Sequence, residues 1–248
     1  MLEKAEGIVL RTINYGESNV ILTLFTREFG KVAVMARGAK KTRNRFRSVS
    51  QPFVHGIFLY YKGRGMSTLN QGDVLHSFPD IRQHIVRMSY AAYMAELLEK
   101  TVEEREKNPY LFELFLTLLE QMEFGHDPEV LTSIFETKMT LQAGIQPELT
   151  KCVCCGQTDQ IVSFSVKEAG FLCKRCTDQD PYAIHLHPKT IHLLRLFLHI
   201  DVQRIGSISL QKETKEELKR VMDAYYEAYG GFALKSKRFL DQLEKWNW

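Results

Sequence analysis

Long hydrophobic runs, signature motifs of common enzymes and internal repeats are all missing from this 248-residue sequence. No apolar stretch approaches the roughly 18 residues of a membrane-spanning helix, so we expect neither an integral membrane protein nor a membrane partner. The first six residues do not resemble a secretory signal, because no basic residues precede an apolar stretch. These absences predict a cytoplasmic protein.

Catalytic motifs are absent as well. The sequence has no GxxxxGK[ST], no GxGxxG after a strand, no GxSxG and no HExxH. It also lacks the H-x-E pair that a zinc deaminase would need. We therefore expect a protein that is not an enzyme and has no catalytic residues.

Net charge is small, at +3 from 33 basic and 30 acidic residues, but it is unevenly distributed. Residues 1–80 carry +6, residues 81–150 carry −6, and residues 151–248 carry +3. This asymmetry predicts that separate surfaces meet separate partners, and it makes the central acidic region unsuited to a polyanion.

The N-terminal eighty residues are rich in short β-type runs separated by turn residues. Five such runs predict a small closed barrel rather than a parallel α/β sheet. The predicted strands are Gly7–Ile13, Val20–Thr26, Lys31–Ala36, Phe53–Lys62 and Met66–Val74. Lys62–Gly65 is typical of a hairpin turn, because its two glycines adopt positive φ at little cost.

Helical periodicity replaces this pattern after Pro79. Apolar residues recur every three or four positions from Ile81 to Val102, which predicts an amphipathic helix. Asn108-Pro109 and Asp127-Pro128 are typical starts of two further helices. Beyond the cysteines, residues 188–200, 212–229 and 235–243 have the same spacing, with Ser236 as a possible cap. We expect four parts: a barrel (1–79), a helical bundle (80–149), a cysteine element (150–180) and C-terminal helices packing with the helical domain (181–248).

All five cysteines lie between positions 152 and 176. Cys152-x2-Cys155 and Cys173-x2-Cys176 are seventeen residues apart, a spacing typical of four-thiolate zinc sites. Disulfides are rare in a reducing cytosol, and Gly156 lets the backbone turn behind the first pair. We predict structural Zn²⁺ bound by these four cysteines. Four thiolates leave no open coordination position for catalysis.

Cys154 leaves the ligand assignment open. It can replace Cys152 or Cys155 in the site, or remain a free thiol. C-x-C followed by C-x-x-C also resembles the zinc switch of redox-regulated chaperones. A thioredoxin-like use would require a βαβ context, which the sequence does not provide. The clustered histidines are expected to be structural: His185, His187, His192 and His199.

Residues 31–47 contain seven cations and no acid. In a barrel, the stretch after the third strand is a loop at one rim, where cations can follow a sugar-phosphate backbone. About five phosphate contacts would give a salt slope near −3.5 on single strands. The alternative is a solvated or disordered charge run. The predicted DNA-binding residues are Lys31, Arg37, Lys40, Lys41, Arg43, Arg45 and Arg47. Nearby aromatics could stack on bases or pack in the core: Phe46, Phe53, Phe58, Tyr60 and Tyr61.

The order of short motifs along the chain resembles the RecO family of bacterial recombination mediators. The resemblance is carried by residues 7–10 (GIVL), 15–18 (YGES), 29–31 (FGK), 36–41 (ARGAKK) and 144–147 (GIQP). The first cysteine pair and residues 235–243 (KSKRFLDQL) extend it to nearly the whole chain.

This resemblance implies an α+β protein with an N-terminal OB-fold barrel, a central and C-terminal helical domain, and an inserted four-cysteine zinc-finger element. It implies binding of single- and double-stranded DNA, annealing of complementary strands, contact with RecR and with the C-terminal tail of single-strand-binding protein (SSB), and assistance to RecA. A nucleoid-associated location follows. An apolar groove for the acidic SSB tail would need basic flanks, for which the sequence offers Lys189, Arg195, Lys215, Lys219 and Arg220.

Two other functions compete with this interpretation. A redox-switched chaperone would release zinc on treatment with peroxide and then hold unfolded clients. A metal-dependent nuclease or deaminase would turn over DNA and stop with a chelator.

Overall fold

The computed structural model describes residues 1–206 and 208–245, and the chain divides into two compact units. Unit 1 comprises residues 1–125 together with the C-terminal segment that starts at Leu234, and unit 2 comprises residues 126–233. The predicted α+β class is confirmed. Within the described ranges, no helix combines the length and the hydropathy needed to cross a membrane.

A closed barrel of five strands begins unit 1. The strands are β1 (Leu2–Tyr15), β2 (Asn19–Thr26), β3 (Gly30–Ala36), β4 (His55–Tyr61) and β5 (Ser67–His76). Their order around the barrel is β1-β2-β3-β5-β4, and β4 pairs back onto β1. Within the barrel, β3 and β5 pair in parallel and the other neighbouring strands pair antiparallel. This is the OB-like barrel that the sequence predicts, with β1 starting five residues earlier than expected.

Alternation of side chains explains how these strands close. Along β2, Val20, Leu22 and Leu24 point into the barrel and are at most 5% exposed. A bulge between Val9 and Arg11 bends β1, which therefore pairs with β4 over its first half and with β2 over its second. One long bent strand thus belongs to both sides of the barrel.

The turn between β4 and β5 is present where the sequence predicts it, but Gly63 is needed there for a reason other than the expected positive φ. Neither Gly63 nor Gly65 has a positive φ. A Cβ on Gly63 would lie 2.2 Å from the carbonyl oxygen of Met66. Gly63 is therefore required for close backbone approach and not for a left-handed conformation.

Four helices complete unit 1: α1 (Pro79–Gln83), α2 (Ile85–Thr101), α3 (Pro109–Glu123) and α7 (Lys235–Lys245). The helix expected across residues 81–102 is interrupted at His84, whose backbone is extended. Asn108 caps α3 as predicted, since its side-chain oxygen accepts from the N–H of Leu111.

The predicted cap of α7, Ser236, lies inside that helix. A carboxylate from α2 takes over this function, because Glu96 accepts from the N–H of Lys235 (3.2 Å) and of Ser236 (2.8 Å). Burial raises the pKa of Glu96, but hydrogen bonds from the Ser236 hydroxyl and from these two N–H groups outweigh that effect, so the pKa is lowered.

Unit 2 contains three long helices and a small sheet. The helices are α4 (Pro128–Gln142), α5 (Pro188–His199) and α6 (Lys212–Tyr229), and the strands β6 (Ile161–Ser165), β7 (Gly170–Cys173) and β8 (Ile184–His185) form a sheet in the order β7-β6-β8. Asp127 caps α4, as the sequence predicts. Phe171, Phe164 and Tyr225 make successive edge-to-face contacts that join the sheet to α6.

Candidate nucleic-acid surface and cysteine cluster

Residues 37–54 connect β3 to β4 through a succession of turns, and we call them the cap. Four of its side chains belong to the core of the barrel: Ala39, Phe46, Val49 and Val54. Phe46 is 6% exposed and Val49 1% exposed. The cap therefore closes one end of the barrel with its apolar residues, and it is not a disordered charge run.

Several hydrogen bonds attach the cap to the barrel, including three with β1, β2 and the turn between them. The N–H of Lys40 donates to the carbonyl of Ser18 (3.0 Å), and the N–H of Gly38 donates to the side chain of Asn19 (2.9 Å). The hydroxyl of Thr12 donates to the carbonyl of Ser50 (3.0 Å). These contacts fix the cap against β1 and against the β1–β2 turn.

Six of the seven predicted cations lie on the outside of this cap and are exposed. They are Arg37, Lys40, Lys41, Arg43, Arg45 and Arg47. Among the ion pairs formed by the described residues, none involves these six side chains. Arg45 is oriented by a bond to the carbonyl of Asn70 (2.8 Å) and by packing over the ring of Phe46 (4.7 Å). The cap thus carries six exposed cations that form no ion pair with an acid among the described residues.

Lys31, the seventh cation, has another role. It lies at the start of β3, and its Nζ donates to the carbonyls of Glu99 and Val102, both at 2.7 Å. Its own carbonyl accepts from the N–H of Arg105 (2.9 Å). The ammonium therefore satisfies the C-terminal carbonyls of α2, so the structure does not bring Lys31 together with the other six.

The aromatics considered for stacking are mostly core residues. Phe46, Phe53, Phe58 and Tyr60 are at most 6% exposed, whereas Tyr61 is 52% exposed. Sequence reasoning missed a second exposed ring, Tyr15 (51%), which ends β1. Odd-numbered residues in the second half of β1 point outward. The alternation of inward and outward side chains along a strand could therefore have shown that Tyr15 is exposed.

The four predicted zinc ligands come together in unit 2. The sulfurs of Cys152, Cys155, Cys173 and Cys176 all lie within 4.8 Å of one another. The Cys155 and Cys173 sulfurs are 3.6 Å apart, and a zinc tetrathiolate with bonds of about 2.3 Å has S···S edges of about 3.8 Å. The donor set and its spacing therefore fit a tetrahedrally coordinated metal ion.

Each cysteine pair forms a tight turn. The N–H of Gly156 donates to the carbonyl of Cys152 (2.8 Å), and the N–H of Cys176 donates to the carbonyl of Cys173 (2.9 Å). Gly156 has φ +75°, a left-handed conformation that favours glycine. The two turns direct all four sulfurs to one point.

Electrostatics within the cluster also favour a cation. Burial raises the pKa of Cys152, but backbone N–H groups oppose this effect and bring the value down to about 6. Burial and hydrogen bonds to neighbouring thiols raise the pKa of Cys176 to about 12. Four thiolates this close repel one another, and a bound dication removes that penalty.

Arg195 of α5 holds the first cysteine arm in place. Its guanidinium donates to the carbonyls of Leu149 (3.1 Å), Thr150 (3.1 Å) and Thr158 (2.9 Å), on both sides of the first pair. The helix thereby fixes both ends of the segment that carries Cys152 and Cys155.

The fifth cysteine, Cys154, is exposed and is not one of the four clustered sulfurs. Burial and the neighbouring charge of Cys152 raise its pKa. Among the described residues, the candidate metal cluster contains no histidine, so the structure does not use the clustered histidines as substitute ligands.

The fold and the two sites together define an α+β protein that combines a capped OB-like barrel with a four-cysteine, metal-type element. Two protein-family models match this chain. Recombination protein O N terminal matches residues 1–78, and Recombination protein O C terminal matches residues 82–238.

Curated relatives agree over almost the whole chain. A protein of Bacillus subtilis (strain 168) is 53% identical over 244 residues, which cover 98% of this chain and 96% of the relative. A protein of Halalkalibacterium halodurans is 52% identical over the same shares. A protein of Listeria innocua is 45% identical over 99% of this chain and 96% of its own length. Each of the three is named DNA repair protein RecO. The chain belongs to the RecO family.

Proposed function

We propose that this protein is a recombination mediator that binds single- and double-stranded DNA through the cap and anneals complementary strands. The observation that carries the proposal is the set of six exposed cations on the anchored cap, none of which forms an ion pair among the described residues. Contacts of Lys and Arg with phosphates release counterions and depend little on base sequence.

Annealing follows from the same charges. Two strands repel each other through their phosphates, and a surface that neutralises some of them lowers this barrier. Base pairing then provides the driving force, so no nucleotide hydrolysis is required. The protein therefore acts without being an enzyme.

Membership of the RecO family supports the partners in this proposal. RecR joins the protein, SSB-coated single strands are the substrate, and RecA loads onto the DNA as SSB is displaced, at the nucleoid. For the SSB tail, four of the five cations offered by the sequence already have partners. Arg195 donates to three carbonyls, and Lys215 pairs with Asp127 (3.0 Å) and Glu129 (2.8 Å). Lys219 pairs with Asp223 (4.0 Å), and Arg220 donates to the carbonyl of His185 (3.1 Å). We therefore do not assign the tail contact to Arg195 or Lys215, which make the most contacts.

Zinc is the metal that we propose for the cysteine cluster, because four thiolates in a tetrahedral arrangement favour it. A bound zinc ion would crosslink the two cysteine turns and stabilise unit 2. The closed ligand set leaves no position for substrate. Three exposed cations adjoin the ligands in sequence (Lys151, Lys174 and Arg175), and we assign them to balancing the net negative charge of a zinc tetrathiolate.

The DNA surface is tested by neutralising Arg37, Lys40, Lys41 and Arg43 together with glutamine. Affinity for single strands should fall, and the slope of log K against log[salt] should flatten by about 2.8, at about 0.7 per phosphate contact. The control replaces four exposed cations outside the cap: Lys4, Arg82, Lys167 and Lys189. Equal slopes for both variants would sink the assignment.

The annealing activity is tested with SSB-coated complementary oligonucleotides and no ATP. We expect the wild-type protein to accelerate duplex formation and the cap variant to lose most of that acceleration. No acceleration by the wild-type protein would remove the mediator proposal.

A further inference from the structure

The four clustered sulfurs differ in how deeply the chain buries them. Cys152, Cys173 and Cys176 are at most 6% exposed, whereas Cys155 is exposed. Cys155 follows directly after Cys154, which is the exposed thiol outside the cluster. The exposed corner of the cluster therefore has two thiols side by side, of which the structure gathers only one.

Backbone hydrogen bonds fix the buried corners. The N–H of Cys152 donates to the carbonyl of Gln157 (2.7 Å), and the N–H of Val153 donates to the carbonyl of Phe171 on β7 (2.9 Å). Cys173 is the last residue of β7, which pairs with β6. Cys152 and Cys173 therefore cannot move without disturbing the small sheet of unit 2.

The apex of the first cysteine turn is held by fewer contacts. No backbone–backbone hydrogen bond of the described residues involves Cys154 or Cys155. The turn is closed by the N–H of Gly156, which donates to the carbonyl of Cys152 (2.8 Å). Apart from its neighbours in the chain, no heavy atom lies within 4 Å of the point that a Cβ on Gly156 would occupy. The apex thus has room to shift while Cys152 stays in place.

Cys154 already faces the cluster from this apex. Its N–H donates to the sulfur of Cys152, and its own thiol interacts with that sulfur. Cys154 and Cys155 are adjacent in the chain, so their Cα atoms are about 3.8 Å apart. A shift of the apex by less than one residue is therefore enough to exchange one sulfur for the other.

Resting on the zinc ion proposed above, we propose that Cys154 is a reserve ligand, which takes the coordination position of Cys155 when the Cys155 sulfur is lost. Cys154 does not replace Cys152, because that residue is fully buried and its backbone is tied to the sheet. The shared corner is also the entry path for the metal, since the other three sulfurs are buried.

The test compares Cys155→Ser, Cys154→Ser and the double variant with the wild type, each reduced and then loaded with zinc. Both single variants should hold stoichiometric zinc, and the double variant should lose it. Co²⁺ in place of zinc gives a second readout, because the intensity of its sulfur-to-metal charge-transfer band grows with the number of bound thiolates. Both single variants should show the spectrum of four thiolates.

Alkylation of the zinc-loaded proteins with iodoacetamide identifies the ligand directly. Cys154 should be alkylated in the wild type, where it is not bound to the metal. It should be protected in Cys155→Ser, since a thiolate that binds the metal is no longer a free nucleophile. Tryptic peptide 152–167 contains all three cysteines of the first turn, so mass spectrometry of this peptide locates the label.

Cys152→Ser is the matched control, because it keeps both exposed thiols and should still lose zinc. Hydrogen exchange over residues 150–180 checks that each variant folds. Loss of zinc from Cys155→Ser, or retained zinc with Cys154 alkylated as in the wild type, would overturn the reserve ligand. Zinc retained by Cys152→Ser would overturn the assignment of the shared position to the corner of Cys155.

These outcomes are separable from a failure of the proposed metal. Wild-type protein that holds no zinc after loading would remove the metal site, and the reserve ligand with it. Zinc that is bound by the wild type and by Cys154→Ser but not by Cys155→Ser would leave the metal site standing and remove only the reserve ligand.

Discussion

The cap and the cysteine cluster are both irregular segments dense in charged or ionisable groups, yet they are held by different means. The cap is fixed by burial of apolar side chains such as Phe46 and Val49 in the barrel core, so its cations remain free for a ligand. The cysteine segment has its ionisable groups turned inward, with Cys152 and Cys173 at most 1% exposed. The first segment is organised to present charge outward, and the second is organised around charge that a metal would neutralise.

The largest effect is expected for a substitution in the cysteine cluster. Cys173→Ser removes one of four clustered sulfurs and should abolish stoichiometric zinc binding. In isolated finger peptides zinc contributes about 10–16 kcal/mol to folding, so residues 150–180 should lose protection from hydrogen exchange. The exposed Cys154→Ser is the matched control and should retain metal. DNA binding by the cap should survive in both variants, and its loss in Cys173→Ser alone would show that the cap depends on the cysteine cluster.

The next largest effect is expected for a substitution in the buried part of the cap. Phe46→Ala empties a nearly fully buried position and should destabilise unit 1 by about 3–5 kcal/mol. The six cations remain, but their support is loosened, so trypsin should cleave within the cap faster. Phe124→Ala, at a position 80% exposed, is the control and should leave cleavage unchanged. Equal cleavage of the two variants would mean that burial does not hold the cap.

Within the basic region, Lys31 and the cap cation Lys40 are expected to have different roles. Lys31→Met removes two hydrogen bonds to backbone carbonyls and should cost about 2–4 kcal/mol in denaturant unfolding. It should leave the salt slope of DNA binding unchanged. Lys40→Met, on the cap, should do the reverse, with stability within about 0.5 kcal/mol of the wild type and a slope flatter by about 0.7. Similar behaviour of the two variants would contradict the different roles assigned to them.

The smallest effect concerns acid. The group concerned is Glu96, which caps α7. Its pKa is lowered in the folded protein. The ionised carboxylate therefore stabilises the folded protein fully above its ordinary pKa of 4.5, and this stabilisation is lost as the pH falls through the lowered pKa. Glu96→Gln should cost about 1 kcal/mol near neutral pH and less in acid. Thermal unfolding between pH 3 and pH 7 measures this, and a constant difference would argue against the carboxylate as the cap.

Features that depend on local spacing could be predicted from the sequence. The two cysteine pairs, the caps at Asn108 and Asp127, and the five barrel strands each follow from residues close together in the chain. Lys31 could not be placed, because its partners Glu99 and Val102 are 68 and 71 residues away in the chain and only the fold brings them together. The same holds for Ser236, since the carboxylate that caps α7 comes from Glu96.

Which aromatic side chains are exposed could not be predicted from the sequence either. Phe58, Tyr60 and Tyr61 are near neighbours in one strand and similar in type, yet two of them are fully buried and one is half exposed. Alternation separates inside from outside only when the register with neighbouring strands is known. The set of side chains on the outer face of the barrel is a property of that register, and no single segment of the sequence contains it.

The anchoring of the cap also has a consequence for kinetics. A disordered basic segment would lose conformational entropy on meeting DNA, and that cost would weaken its affinity. The cap has already lost this freedom when the barrel folds, since Phe46, Val49 and Val54 are buried in the core. Binding can then proceed by electrostatic steering without a slow ordering step, at rates that fall steeply with ionic strength. We expect this protein to find DNA rapidly and to differ between ligands mainly in how long it stays bound.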